Sequence, residues 1–240
     1  MAEDVVNIIY EDSDVLAVNK PAGIVVHPDY RHKTATLIQK ILKIRPEIAG
    51  VGEDKLRPGV VHRLDKDTSG VLIIAKNQKS YNLLKKQFQQ RSVKKVYIAL
   101  VMGRMKNARG VIDLAIGRSR KNFMKRISIG VKNGNIRNAV TEYKVLKKFP
   151  DYTLVEIFPK TGRTHQIRSH FKAIGHPVVC DKLYGGRKSI CPFGLSRHFL
   201  HASSIELSLP SGARIKLEAD LPKDLQKAVE ELQLADFKKM

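Results

Sequence analysis

The chain has 240 residues, 42% hydrophobic and 28% charged, which is enough to bury a core without staples and excludes both a disulfide-dependent miniprotein and a disordered chain. Forty-four Lys and Arg against 23 Asp and Glu leave +21; such a charge repels its own compact state unless a polyanion is at hand, so nucleic acid is the first partner to expect. No apolar run approaches the ~18 residues of a membrane span, and the acidic start MAEDVVNIIYEDSD is no secretory signal. The expectation is a cytoplasmic monomer with no membrane partner, whose two cysteines, Cys180 and Cys191, are free thiols.

In chain order, β-branched runs predict strands at 15–18 and 24–26, and then a helix over 34–43 places Leu37, Ile38, Ile41 and Leu42 on one face before Pro46. A strand at 71–75 precedes a helix capped by Ser80 that buries Leu84 and Phe88. Strands follow at 96–101, 140–145 and 153–158. A helix over 164–174 then aligns Ile167, Phe171 and Ile174 and stops at Gly175. Strands at 205–209 and 214–217 lead to a last helix that opens at Pro222 and stacks Leu225, Ala228, Val229 and Leu232. Short turns favour antiparallel pairing, and the irregular order of strands and helices argues for an α+β fold, a mixed, largely antiparallel sheet with flanking helices. With no repeat and no long linker, residues 1–240 read as a single domain.

Three clusters could carry chemistry. VVHRLDKDTSG at 60–70 is a polar loop feeding an apolar strand, a common setting for a catalytic group, though its Asp, Thr and Ser residues could equally satisfy a turn. TGRTHQIRSH at 161–170 opens a helix with Arg163, His165 and Arg168 nearby, a ready anion site or else a solvated basic face. GRSRKNFMKR at 117–126 sets Arg118, Arg120, Lys121, Lys125 and Arg126 around Phe123, which suits a segment following a phosphate backbone. His165, His170, His176, Cys180 and Cys191 invite a zinc reading, but their spacing fits no common site, so no metal is expected. No P-loop, dinucleotide fingerprint, G-x-S-x-G or H-E-x-x-H is present.

His62-Arg-Leu-Asp65 followed by Thr68-Ser-Gly70 resembles the signature of the pseudouridine synthases, in the branch named for RluA and RluD. The resemblance extends to NKPAGIVVHP at 19–28, KVYIALV at 95–101, GRTHQIR at 162–168 and LHA at 200–202, five motifs in the family's order. It implies the pseudouridine synthase catalytic fold and isomerisation of uridine in RNA, with no cofactor or metal. By the match, Asp65 is the catalytic aspartate, acting as nucleophile or base. Tyr97 stacks on the target base, Arg168 pairs with the Asp65 carboxylate, and Arg63 helps to occupy the space left by the flipped nucleotide. His62, Arg163, His165, Arg118, Arg120, Lys121 and Lys125 are the expected RNA contacts. Many members carry a small RNA-binding domain before the catalytic one; here the opening motif lies within the first thirty residues, so no such domain is expected. Likeness to the RluD group favours ribosomal RNA over transfer RNA. An inert RNA-binding or ribosome-assembly factor and an RNA glycosylase are the rival readings.

Overall fold

The structure is a computed structural model that describes residues 6–28, 35–119, 125–128, 136–186 and 191–237. Its elements in order are β1 (Ile8–Glu11), β2 (Val15–Lys20), α1 (Leu37–Ile44), a 3₁₀ turn (Pro46–Ile48), β3 (Ser69–Ala75), α2 (Gln78–Gln89), β4 (Lys94–Met102), β5 (Arg109–Asp113), β6 (Ile116–Arg118), β7 (Arg126–Ser128), β8 (Val140–Lys148), β9 (Tyr152–Pro159), α3 (Gln166–Ala173), β10 (Leu200–Ser208), β11 (Arg214–Glu218) and α4 (Lys223–Phe237). The chain falls into two compact units, Met1–Lys95 with Ala202–Asp220, and Val96–His201 with Leu221–Met240. The expected α+β class holds: the sheets are largely antiparallel and the helices are four among the described residues.

In the first unit the strands run in the order β1, β2, β3, β10, β11. β2 pairs antiparallel with β3 from Val15 opposite Ala75 to Lys20 opposite Gly70. Seven consecutive residues of β3 are buried, as are Val15 to Val18 of β2, the continuous apolar pattern of strands covered on both faces. Removing each such Leu, Ile or Val from water stabilises by about 1.5–3 kcal/mol. α1 is held by a reciprocal cap: Gln39 N–H donates to the Thr36 hydroxyl, and Thr36 N–H donates to the Gln39 side chain. Residues 24–26 do not form the expected strand. Val25 and Val26 are buried in a loop, and their carbonyls accept the N–H groups of Leu37 and Ile38, the donors a helix start leaves unpaired. Asn77, not Ser80, caps α2; its side chain accepts Ser80 N–H, which places Ser80 in the first turn.

In the second unit the order is β4, β9, β8, β5, all antiparallel. Ala99, Val101, Tyr143, Val155 and Ile157 of this sheet bury Ile167 and Phe171 of α3. Leu100 lies in a second cluster with Phe149, Val179, Phe199 and the α4 residues Leu225, Ala228 and Leu232. β6 and β7 form a separate two-stranded ribbon, with Arg118 opposite Arg126. Sequence patterning did not pick out β1, β5, β6 and β7, each three to five residues long, lengths at which a period is weakly marked.

The free-thiol expectation is corrected: Cys180 and Cys191 are joined in a disulfide, their Cα atoms 4.4 Å apart. Counting cysteines could not reveal this, because the pairing depends on where the fold places Cys180 and Cys191 and not on their number or spacing. Among the described residues no helix is long and apolar enough to cross a membrane.

Candidate functional site

In the first unit three of the five motifs become neighbours through strand register. Lys20 of the opening motif lies opposite Gly70 of the second. Gly70 adopts φ +117°, and a Cβ there would sit 2.1 Å from the carbonyl oxygen of Ala202 in the closing motif. Only glycine allows both that dihedral and that approach.

The loop that carries Asp65 leaves this sheet and is tied at several points. Asp65, half-buried, accepts Thr68 N–H on its carbonyl. The next carbonyl, Lys66 O, accepts Gly23 N–H at 2.9 Å and Lys20 Nζ at 2.9 Å. Lys20 is fully buried, and its ammonium also donates to Pro21 O and Ile24 O at 2.8 Å each. Three carbonyl dipoles thus solvate a charge that burial would otherwise expel. At the other end of the loop His62 Nε2 accepts Ile73 N–H at 3.0 Å, and the ring stacks on Phe88 with centroids 4.7 Å apart. Burial, and then the nearby Lys95 charge, lower the His62 pKa to about 3. His62 is therefore neutral and has one ring nitrogen committed to the backbone, a holding task the sequence did not show. Burial also lowers Lys95 to about 8. Arg63 is exposed; its Nη1 lies 3.4 Å from Nε2 of the buried His27, whose Nδ1 faces Pro28 O. The final His of the opening motif thus receives the Arg of the second.

In the second unit Tyr97 lies on β4 opposite Ile157, half-buried against the cluster that holds α3. Arg168, in the first turn of α3, is 8% exposed and binds Asp181 with two hydrogens, Nε to Oδ2 at 2.6 Å and Nη2 to Oδ1 at 2.8 Å. Burial pushes the Asp181 pKa up, but the Arg168 bonds and charge outweigh it and hold the carboxyl below its ordinary range. Arg163 Nε reaches Asn138 O, and its backbone N–H meets the buried Gln166 side chain. His165 stands at the start of α3 in a left-handed conformation, φ 56°, and shares a hydrogen bond with the Tyr184 hydroxyl at 3.1 Å.

The basic ribbon is bound to the same helix. Arg126 N–H donates to the Tyr184 hydroxyl, Arg126 O accepts Ser169 Oγ, and Ser128 and Ser169 join hydroxyls. Arg118 ends β6 exposed and Lys125 stands just before β7; Arg120 and Lys121 lie outside the described residues. Zinc finds no support: His170 Nε2 faces Leu114 O, His176 Nδ1 faces Met102 O, and the cysteines are bonded to each other. Among the described residues no group of three His, Cys, Asp or Glu could hold a metal ion.

Sequence reasoning missed Asp181 and Tyr184. A signal did exist: Asp181 is the only acidic residue between Glu156 and Glu206, and a buried helix arginine needs a carboxylate.

The family model described as RNA pseudouridylate synthase matches residues 14–173, a span that includes Asp65, Tyr97 and Arg168. The chain belongs to the RNA pseudouridylate synthase family. An uncharacterised RNA pseudouridine synthase of Bacillus subtilis is 43% identical over 227 residues, covering 94% of this chain and 72% of that protein. The ribosomal large subunit pseudouridine synthase D of Pseudomonas aeruginosa is 40% identical over 236 residues, covering 93% and 71%. The solved structure of human RNA pseudouridylate synthase domain containing 4 matches with a TM-score of 0.74 at 25% identity, over 95% of this chain and 93% of that one. The chain spans 58% of an Aquifex aeolicus relative and 65% of one from Borreliella burgdorferi. The sequence expectation of an RNA pseudouridine synthase is thus met at the level of the family.

Proposed function

We propose that this chain isomerises uridine to pseudouridine in structured RNA, large-subunit ribosomal RNA before transfer RNA. The observation that carries the reading is the family match over 14–173 together with the Asp65 loop, which Lys20, Gly23 and His62 hold to the sheet. A carboxylate that must meet one sugar carbon needs this kind of fixed support. The preference for ribosomal RNA rests on relatives whose names carry that substrate, at 40% identity.

In the reaction the bond from C1′ to N1 of uracil breaks, the base turns, C1′ joins C5, the C5 proton leaves and N1 gains one. Asp65 is the carboxylate that acts, as nucleophile or base. A base inside folded RNA must leave its stack at a cost of a few kcal/mol, and an aromatic platform such as Tyr97 returns roughly 1–3 kcal/mol. Arg168 supplies a permanent positive charge, and Arg63 helps to fill the gap the base leaves. The phosphate contacts are Arg163, His165, Arg118, Arg120, Lys121 and Lys125; His62 contributes by holding the loop.

Asp65→Asn tests the reading, since it keeps the side chain's shape and removes its charge. Tritium release from RNA labelled at C5 of uridine should fall to background while the melting temperature stays within about 3 °C of wild type, less than ~1 kcal/mol of stability. A folded Asp65→Asn protein that still turns over would remove Asp65 from the chemistry. Release of free uracil by the wild type would make the chain a glycosylase.

A further inference from the structure

We infer that Asp181 and Tyr184 are positioning residues that set the plane and direction of the Arg168 guanidinium. The inference rests on the reading that Arg168 takes part in the reaction.

Two hydrogen bonds between a planar guanidinium and a carboxylate fix the plane of the pair, which one bond or a lysine could not do. The carboxylate is itself held. Asp181 Oδ1 accepts the N–H groups of Leu183 at 2.9 Å and Tyr184 at 3.0 Å, and the side chain is fully buried. The third constraint acts from the face: Arg168 Cζ lies 5.2 Å from the Tyr184 ring centroid. That ring is anchored through its hydroxyl, which accepts Arg126 N–H at 2.7 Å and meets His165 Nδ1. Cys180, immediately before Asp181, adopts φ +57°, a conformation that persists in a non-glycine residue where the surroundings over-determine it.

Simple adhesion of α3 to residues 181–184 would not need this arrangement. A buried ion pair contributes little net stability, and apolar side chains of similar volume hold two segments together as well or better. What the pair with its turn and ring does provide is a single orientation of one cation. Tyr184 also links the GRTHQIR motif to the basic ribbon, through His165 and Arg126, so the cation and the ribbon share one support.

The test compares wild type, Asp181→Asn, Arg168→Lys and the double variant. The probe is a transcript of large-subunit ribosomal RNA tritiated at C5 of uridine, with melting curves and RNA-binding stoichiometry measured beside it. Asp181→Asn should lower kcat by roughly 100-fold, the cost of about 1 Å of misplacement, with KM changed less than about twofold. The double variant should turn over no more slowly than Arg168→Lys alone, because Asp181 has nothing left to aim. Losses that multiply in the double variant, or a folded Asp181→Asn protein with wild-type kcat, would overturn the inference while leaving Arg168 in the reaction. Wild-type turnover by Arg168→Lys would instead defeat the reading beneath it. Should Asp181→Asn fail to fold, Tyr184→Phe carries the test: it keeps the ring and removes its anchor. Roughly a tenfold fall in kcat, larger than any change in KM and in a protein that stays folded, supports the inference, and unchanged kcat overturns it.

Discussion

Replacing Gly70 by alanine places a methyl group where the fold has no room. Its Cβ would lie 2.1 Å from Ala202 O and 2.7 Å from Ala202 N, whereas real Cβ contacts essentially never fall under 3.0 Å. The backbones at Gly70 and Ala202 must therefore part by about 1 Å, an overpacking cost of ~1–3 kcal/mol. At φ +117° an alanine adds backbone strain near the upper end of the ~1–3 kcal/mol range. The sum is about 4–6 kcal/mol. Gly23 is the internal control, because its φ is +87° but nothing lies within 4 Å of its Cβ position; Gly23→Ala meets strain alone, about 1–2 kcal/mol. At ~2–4 °C per kcal/mol for a chain of this size, Gly23→Ala should melt roughly 2–8 °C below wild type and Gly70→Ala at least ~8 °C below. Turnover should fall in both variants, since Gly70 pairs with Lys20, whose ammonium holds the Lys66 carbonyl beside Asp65, and Gly23 N–H holds the same carbonyl. The measurements are thermal melts and tritium release on the same preparations. A Gly70→Ala protein that melts no lower than Gly23→Ala would refute the close approach.

Acid should release one ion-pair cluster in a defined window. Glu11 binds Arg45 through two hydrogens and Lys76 through a third, and the Arg45 bonds, then Lys76, lower its pKa from 4.5 to about 2. A depressed carboxyl stabilises the fold fully above pH 4.5 and loses that contribution as pH falls towards 2. With the carboxylate about a fifth exposed and screened, the contribution is about 1–2 kcal/mol. Glu11→Gln should lower urea-unfolding stability by that amount at neutral pH and by less than half of it near pH 3, so an equal deficit at both would refute the assignment. For the cysteines, thiol titration of the denatured chain without reductant should find neither Cys180 nor Cys191 free, and both after treatment with a dithiol; two thiols before reduction would show that the bond is absent.

The sequence by itself determined the class of fold, most of the strands and helices, the family, and the residues expected to act. It could do so because those signals are local: apolar period, turn chemistry, and contiguous motifs such as His62 to Gly70. The loop 24–26 was misread for the same reason, since Val25 and Val26 look like a strand until α1 takes their carbonyls. What only the tertiary structure decided is the partnerships. Asp181 grips Arg168 across 13 residues, Lys20 reaches Lys66 across 46, and Gly70 meets Ala202. A partner's identity depends on where the backbone turns between two residues, and residue type and spacing do not encode that turn: a buried guanidinium announces that it needs a carboxylate, and only the folded path of the chain brings Asp181 to it.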